Sequence, residues 1–516
     1  MKNLAWRFPS WGIFPGAFLV ASGLFFLFSW RTAFHVTYND FWGILFYARQ
    51  LNWQEKASLY NGFYPIGYAL LLRLLPYGLV IQGITLINVT FGGLFSAAAT
   101  GLVRRAGSLW IALLVFAFSV SYPLGVEYAS SVAPEIGCAA FTALAVFLLW
   151  DDLLAPAGRP ASIWKLTLAG ALLGLATLWR SHTLASSLAI VAAYLFLVSE
   201  TPLKGKIGLL AGFLALGSVQ VGVNLFSGHG PLETAQSFNL YKLFNLVDWR
   251  RMPSPAEVAS FSLWKTFLAS PSSVLLVYFP WFFQVLAYAL PAVLGWISFP
   301  KSVYRRFWLF TALGITAYAL IVAWGASRRA PLVISSLALV SAAFWCVEFL
   351  AFVRRKAPAW LKLAHFGLVT LSLLALSGLT WVNLDYLNFS RAQDENIRGL
   401  TEILLKAGLK SPEEVFTDSF AVYFPGLPPY APRAFGGWNE VYLWKYNQVY
   451  PLLPFDSAAA FDQACQAQGI RFLILTPKSA ESADFLFRLY STGQVDGLDD
   501  FELLRKFGNF KIFRRR

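Results

Sequence analysis

Apolar windows of roughly 20 residues, the length a helix needs to cross a hydrocarbon core of about 30 Å, recur from Trp11 almost to Trp381. About eleven are visible, near 11–30, 79–102, 108–125, 135–150, 165–179, 183–199, 207–226, 273–296, 307–325, 331–351 and 363–382; 66–78 reads as a possible further span. A soluble core cannot absorb so many uninterrupted apolar runs. Composition agrees: 13% of residues are charged, against about 25% in a typical soluble domain. The expected fold class is a polytopic α-helical membrane protein with about eleven transmembrane helices, followed by a small C-terminal α/β domain.

Orientation follows from short-loop lysines and arginines. Lys2/Arg7, Arg104/Arg105, Arg159/Lys165, Lys204/Lys206, Lys301/Arg305/Arg306 and Arg354/Arg355/Lys356/Lys362 fall on alternate connections, which the positive-inside rule makes cytoplasmic. The N-terminus is then inside the plasma (inner) membrane. The first run lacks a small-residue cleavage site and reads as a retained span rather than a signal peptide. Residues 1–382 form the membrane module, with extracytoplasmic loops at 31–78 and 227–272, and 383–516 form an extracytoplasmic domain.

A net charge of +14 raises the question of nucleic acid. From 383 onward, however, 15 basic and 16 acidic side chains cancel. The excess belongs to the cytoplasmic loops, where it sets topology and meets anionic headgroups, so nucleic-acid binding is not indicated. Cys138, Cys346 and Cys465 offer no disulfide pair outside the membrane. Neither C-x-x-C nor H-E-x-x-H occurs, so no cofactor is assigned, and a requirement for a divalent metal stays open.

The tail alternates helix and strand patterns. "QDENIRGLTEILLKAGL", "SAAAFDQACQAQG" and "SADFLFRLYSTG" predict helices, and "EEVFTDS", "RFLILTP" and "FKIFRR" predict strands. No phosphate-cradling glycine loop and no G-x-S-x-G elbow appears. The Pro-rich "YFPGLPPYAP", 423–432, reads as a structured loop.

Chemistry is therefore sought at the outer membrane face, where charged groups are costly enough to face a polar cavity or each other. Asp40 follows the first span. Glu127 and Glu135 flank "YASSVAP", Arg180 and His182 occupy the next outer turn, and Arg328 and Arg329 add positive charge on the side expected to be poor in it. That violation suggests an anionic ligand. Each has a structural alternative: Asp40 as an N-cap of "FWGILFYARQLN", Glu135 as a first-turn acid favoured by the helix dipole, the arginines as headgroup anchors. His35, His229 and His365 read as structural.

The order of features resembles a family. An outer-loop aspartate, then Tyr64-Pro65-Ile66-Gly67-Tyr68, then "SVAPEIGCAAFTALAVFLL", "GALLGLATLWRSHTL" and "SRRAPLVISSLALV" is similar to the GT-C glycosyltransferases, in particular the bacterial protein O-mannosyltransferase and lipid A aminoarabinose transferase branch. The likeness covers nearly the whole chain. Asp40 follows Asn39 rather than a second acid, and Pro65 stands alone, so sugar and acceptor are not carried over. The resemblance implies transfer of a sugar from a polyprenyl-phosphate donor to a lipid, glycan or protein acceptor. Asp40 would act as general base in an inverting displacement, with Arg180, Arg328 and Arg329 on the donor phosphate. Glu135, Glu127, His182 and Tyr64 would contact sugar or acceptor, Glu135 alternatively holding an arginine. The competing readings are a lipid-linked saccharide flippase or transporter, and a non-catalytic membrane assembly protein.

Overall fold

The computed structural model describes residues 10–31, 44, 47–48, 50–75, 80–105, 108–129, 133–154, 162–233, 240–241, 243–244, 260–325, 329–411, 414–417, 434–435, 453–477 and 483–516. Asp40, Arg328 and the 423–432 loop lie outside the described residues.

Each apolar window falls on helix. In chain order these are α1 (Ser10–Arg31), the short helix α2 (Ile66–Leu74), α3 (Val80–Arg105), α4 (Leu109–Val120), α5 (Pro123–Ala129), α6 (Glu135–Leu154), α7 (Ile163–Trp179), α8 (Thr183–Leu197), α9 (Leu203–Gly217) and α10 (Val219–Phe226). There follow α11 (Leu263–Ala269), α12 (Pro271–Leu286), α13 (Leu290–Ser298), α14 (Arg305–Val322), α15 (Pro331–Lys356) and α16 (Leu361–Lys406). Among the described residues, six helices are long and apolar enough to cross a membrane, or seven if the bent α4–α5 pair counts as one span. Four more apolar helices are shorter, including α6, α7 and α8. The possible further span at 66–78 is instead α2, whose nine residues are far too few to cross a bilayer.

Several helices break where the sequence supplies a cause. Pro123 opens α5 after a 55° bend from α4, and Pro291 sits at the head of α13 beyond a turn of 3-10 helix; proline cannot donate to the preceding turn. The closest helix contact is α7 on α9. A Cβ placed at Gly170 would lie 2.0 Å from the Leu209 carbonyl, and one at Gly212 2.0 Å from that of Thr167. Glycines four apart on both helices (Gly170/Gly174 and Gly208/Gly212) let the backbones touch. In a bilayer, where helices gain little from burying apolar surface against each other, such contact is a main source of association.

α16 does not end where the sequence changes from apolar to polar near residue 383. Nothing in "LDYLNFSRAQDENIRGLTEILLK" breaks a helix, and its 46 residues run on to Lys406, about 69 Å at the usual rise. Its last turns carry a five-stranded sheet built of β1 (Val415–Thr417), β2 (Ala434–Phe435), β3 (Phe472–Leu475), β4 (Phe501–Phe507) and β5 (Phe510–Arg515), in the order β2-β1-β3-β5-β4. The first three strands are parallel, and β5 runs antiparallel to β3 and β4. One face packs Phe416, Leu473 and Phe513 against α17 (Ala458–Ala467) and α18 (Asp484–Thr492). The other packs Val415, Phe472, Ile474 and Ile512 against Leu400 and Leu404 of α16. Burial on both faces explains why "FLIL" is apolar throughout instead of alternating.

Candidate functional site

Three separate parts of the chain meet on one carboxylate. Glu135, the first residue of α6, is fully buried. Its Oε1 accepts hydrogen bonds from Arg180 Nε at 3.1 Å and Nη2 at 2.6 Å, and from Arg329 Nη1 at 3.3 Å. The Arg180 and Arg329 side chains are 13% and 20% exposed. Charge-assisted bonds of this kind are strong. Removing one member of a buried pair is costly because the remaining charge is stranded.

Arg180 is aimed by the end of α7. It leaves the helix in extended conformation (φ −149°, ψ 115°) while its N–H still bonds the Ala176 carbonyl. The preceding Trp179 is wedged among Tyr68, Phe91 and Phe141, with ring centroids at 5.1, 5.1 and 4.9 Å. Gly67 makes the close approach possible, since a Cβ there would lie 2.7 Å from the Leu178 carbonyl. The quoted motif Tyr64-Pro65-Ile66-Gly67-Tyr68 thus docks on the α7 terminus that presents Arg180.

His182 lies one turn on, at the N-terminus of α8, its ring 6.2 Å from that of Tyr318. Burial, and secondarily the Arg180 charge, hold its pKa down to about 3, so the imidazole is neutral at physiological pH. Tyr318 donates its hydroxyl to the Ala330 carbonyl at 3.2 Å, tying α14 to the turn that carries Arg329.

The loops at 50–66 and 227–233 are fastened to each other and to α10. The Asn61 carboxamide accepts the Tyr64 N–H at 3.2 Å, and Gln220 of α10 accepts the Ile66 N–H, the first of α2, at 2.8 Å. Asn224 donates to the Pro231 and Glu233 carbonyls. His229 stacks on Tyr60 at 3.7 Å and contacts Glu233 at 2.9 Å, a structural use like the one its sequence context suggested. The Gly230 N–H, then His229, keep the Glu233 carboxyl below its ordinary pKa.

No protein-family model matches the chain, and no curated protein sequence matches it. Solved structures do. ArnT from Cupriavidus metallidurans bound to undecaprenyl phosphate superposes with a TM-score of 0.57 at 12% identity over 97% of each chain. The apo form of ArnT gives 0.49 at 10% identity over 92% of each chain. The archaeal oligosaccharyltransferase AglB from Archaeoglobus fulgidus, in complex with an inhibitory peptide and a dolichol-phosphate, gives 0.49 at 12% identity, over 95% of this chain and 72% of that one. The chain shares the fold of ArnT.

Within this fold the sequence-selected residues distribute unevenly. Glu135, Arg180 and Arg329 converge, and His182 borders them. Tyr64 is buried in the loop ahead of α2, and Glu127 is half-buried on α5. Two residues that sequence reasoning did not single out stand beside the cluster. Tyr68 on α2 and Asn88 on α3 are both buried, and Asn88 donates to the Ala133 carbonyl at 3.4 Å. An asparagine inside an apolar span was the available signal for the second. Among the described residues no three acid, histidine or cysteine side chains gather as a metal-ligand set.

Farther along α15 lies an apolar cavity of about 330 Å³, lined by residues including Phe95, Tyr122, Tyr288, Ser335, Leu339 and Leu379. The Tyr122 and Tyr288 hydroxyls bond each other at 2.9 Å on its wall. Ser335 is the fifth residue of α15, which begins two residues after Arg329.

Proposed function

We propose that the protein is a glycosyltransferase that moves a sugar from a polyprenyl-phosphate donor to an acceptor on the extracytoplasmic side by a single inverting displacement. The observation that carries this reading is the pair of guanidiniums gathered on buried Glu135, with an apolar cavity along α15, the helix that begins just after Arg329. Such a pair suits a phosphate whose lipid tail stays in the bilayer. The solved ArnT structure of the same fold holds undecaprenyl phosphate, which supports that donor class.

In this mechanism Asp40 takes the proton from the acceptor hydroxyl. The acceptor oxygen attacks the anomeric carbon from the face opposite the phosphate, the carbon–oxygen bond to phosphate breaks, and polyprenyl phosphate leaves as an anion. Arg180 and Arg329, with Arg328 beside them in sequence, stabilise the charge that grows on that oxygen. Glu135 has both guanidiniums on one oxygen, so of its two expected roles we assign it the holding of the arginines. His182, Tyr64 and Glu127 are assigned to sugar and acceptor. All eleven apolar segments cross the membrane in this reading, with the N-terminus inside and residues 383–516 outside.

One experiment tests chemistry and sidedness together. A strain lacking the gene should accumulate a glycosylated polyprenyl phosphate, detectable by mass analysis and oxidised in intact cells by membrane-impermeant periodate. No accumulation contradicts the donor assignment, and accumulation protected from periodate contradicts the extracytoplasmic site.

A further inference from the structure

Tyr68 has no part in the mechanism above, yet its surroundings are those of a ligand-facing group. It lies in the first turn of α2 at 2% exposure, with its ring 5.1 Å from Trp179, the residue before Arg180. The Asn88 carboxamide lies beside its hydroxyl and acts on the oxygen as a hydrogen-bond donor, the Glu135 charge reaches it, and among the described residues no acceptor takes the hydroxyl proton. A second shielded polar atom, His182 Nε2, is in the same condition on the other side of Arg180.

A buried hydroxyl whose proton finds no acceptor costs stability relative to the phenyl ring of the same shape, because that part of its hydration is lost and not replaced. Tyrosine at this position is then a liability in the empty protein. It ceases to be one when a ligand atom arrives to accept the proton. The charged groups nearby decide which ligand: two guanidiniums already demand an anion.

We propose that the Tyr68 hydroxyl donates a hydrogen bond to the anion that Arg180 and Arg329 hold, making Tyr68 a direct ligand of the donor phosphate. This rests on the reading of the cluster as a lipid-phosphate site. The geometry behind it is the docking of α2 against the α7 terminus. Gly67 lies against Leu178 and Tyr68 against Trp179, so one helix contact holds the Tyr68 ring and the α7 terminus that precedes Arg180. An uncharged donor adds affinity for the phosphate without adding to the repulsion between the two arginines.

The test uses the purified full-length protein in detergent, with undecaprenyl phosphate as probe, comparing wild type with Tyr68→Phe. The variant should bind the lipid about 10- to 100-fold more weakly, the loss expected for a hydrogen bond to a charged partner. Its unfolding midpoint without lipid should be equal to or higher than that of wild type. The second readout separates this role from a structural one, since a hydroxyl bonded within the protein would give a lower midpoint when removed. Unchanged affinity overturns the proposal, as does weaker binding accompanied by a lower lipid-free midpoint. If wild type itself fails to bind undecaprenyl phosphate, the lipid-phosphate reading falls and takes this inference with it. Binding by wild type that Tyr68→Phe leaves intact removes the inference alone.

Discussion

Glu135→Ala is expected to destabilise the protein by about 3–5 kcal/mol, the usual consequence of removing one partner from a buried charge pair. The physical reason is specific to this site. Both guanidiniums rest on one carboxylate oxygen, and without it two like charges face each other in a poorly solvated pocket. The loss should show as a lower unfolding midpoint in detergent and reduced membrane accumulation. Undecaprenyl phosphate should restore part of the midpoint, because a bound anion supplies the charge that the carboxylate supplied. A midpoint unchanged from wild type would mean that solvent already screens the arginines.

Asp40→Asn carries the largest kinetic effect. Asparagine caps a helix about as well as aspartate, so the variant should insert and purify normally and should still bind the lipid donor. It cannot accept the acceptor proton, and loss of a positioned base typically costs about 10²- to 10⁴-fold in rate. Transfer assayed with the lipid that accumulates in the deletion strain should fall by that factor. Near-normal transfer would leave Asp40 as a cap and remove the general-base assignment.

How much of this was legible in the sequence depends on the length scale of each signal. Helix positions were readable because hydropathy over some 20 residues is decided locally. Arg180, Arg329 and Glu135 were readable as unusual because each places a charge at membrane depth. Their meeting was not, since the contacts join positions 45 and 194 residues apart and no local pattern encodes them. The continuity of α16 was hidden by its change of solvent. An apolar segment followed by "SRAQDENIRGL" looks like two elements, but polar residues of good helix propensity extend a helix without a break.

β4 was missed for a different reason. "FELLRKF" alternates poorly, and its stronger signal lay in the turn: Gly508, at φ +55°, with Asn509 closes a hairpin pairing Phe507 with Phe510. Tyr68 was visible only as the last residue of the Tyr64–Tyr68 motif, because sequence cannot say whether a tyrosine hydroxyl has an acceptor.

The central claim is that the Glu135-anchored arginine pair binds the phosphate of a polyprenyl lipid. It is tested most directly by titrating undecaprenyl phosphate into purified wild type and Arg180→Ala and reading bound lipid by native mass spectrometry. Wild type should retain the lipid, and the alanine variant, folded and monodisperse, should lose most of its affinity, since a charge-assisted pair to a buried anion is gone. Lysine at the same position should recover part of it, keeping the charge without the planar fork. Equal retention by wild type and Arg180→Ala would contradict the account and leave Arg180 as an anchor of the protein's outer surface.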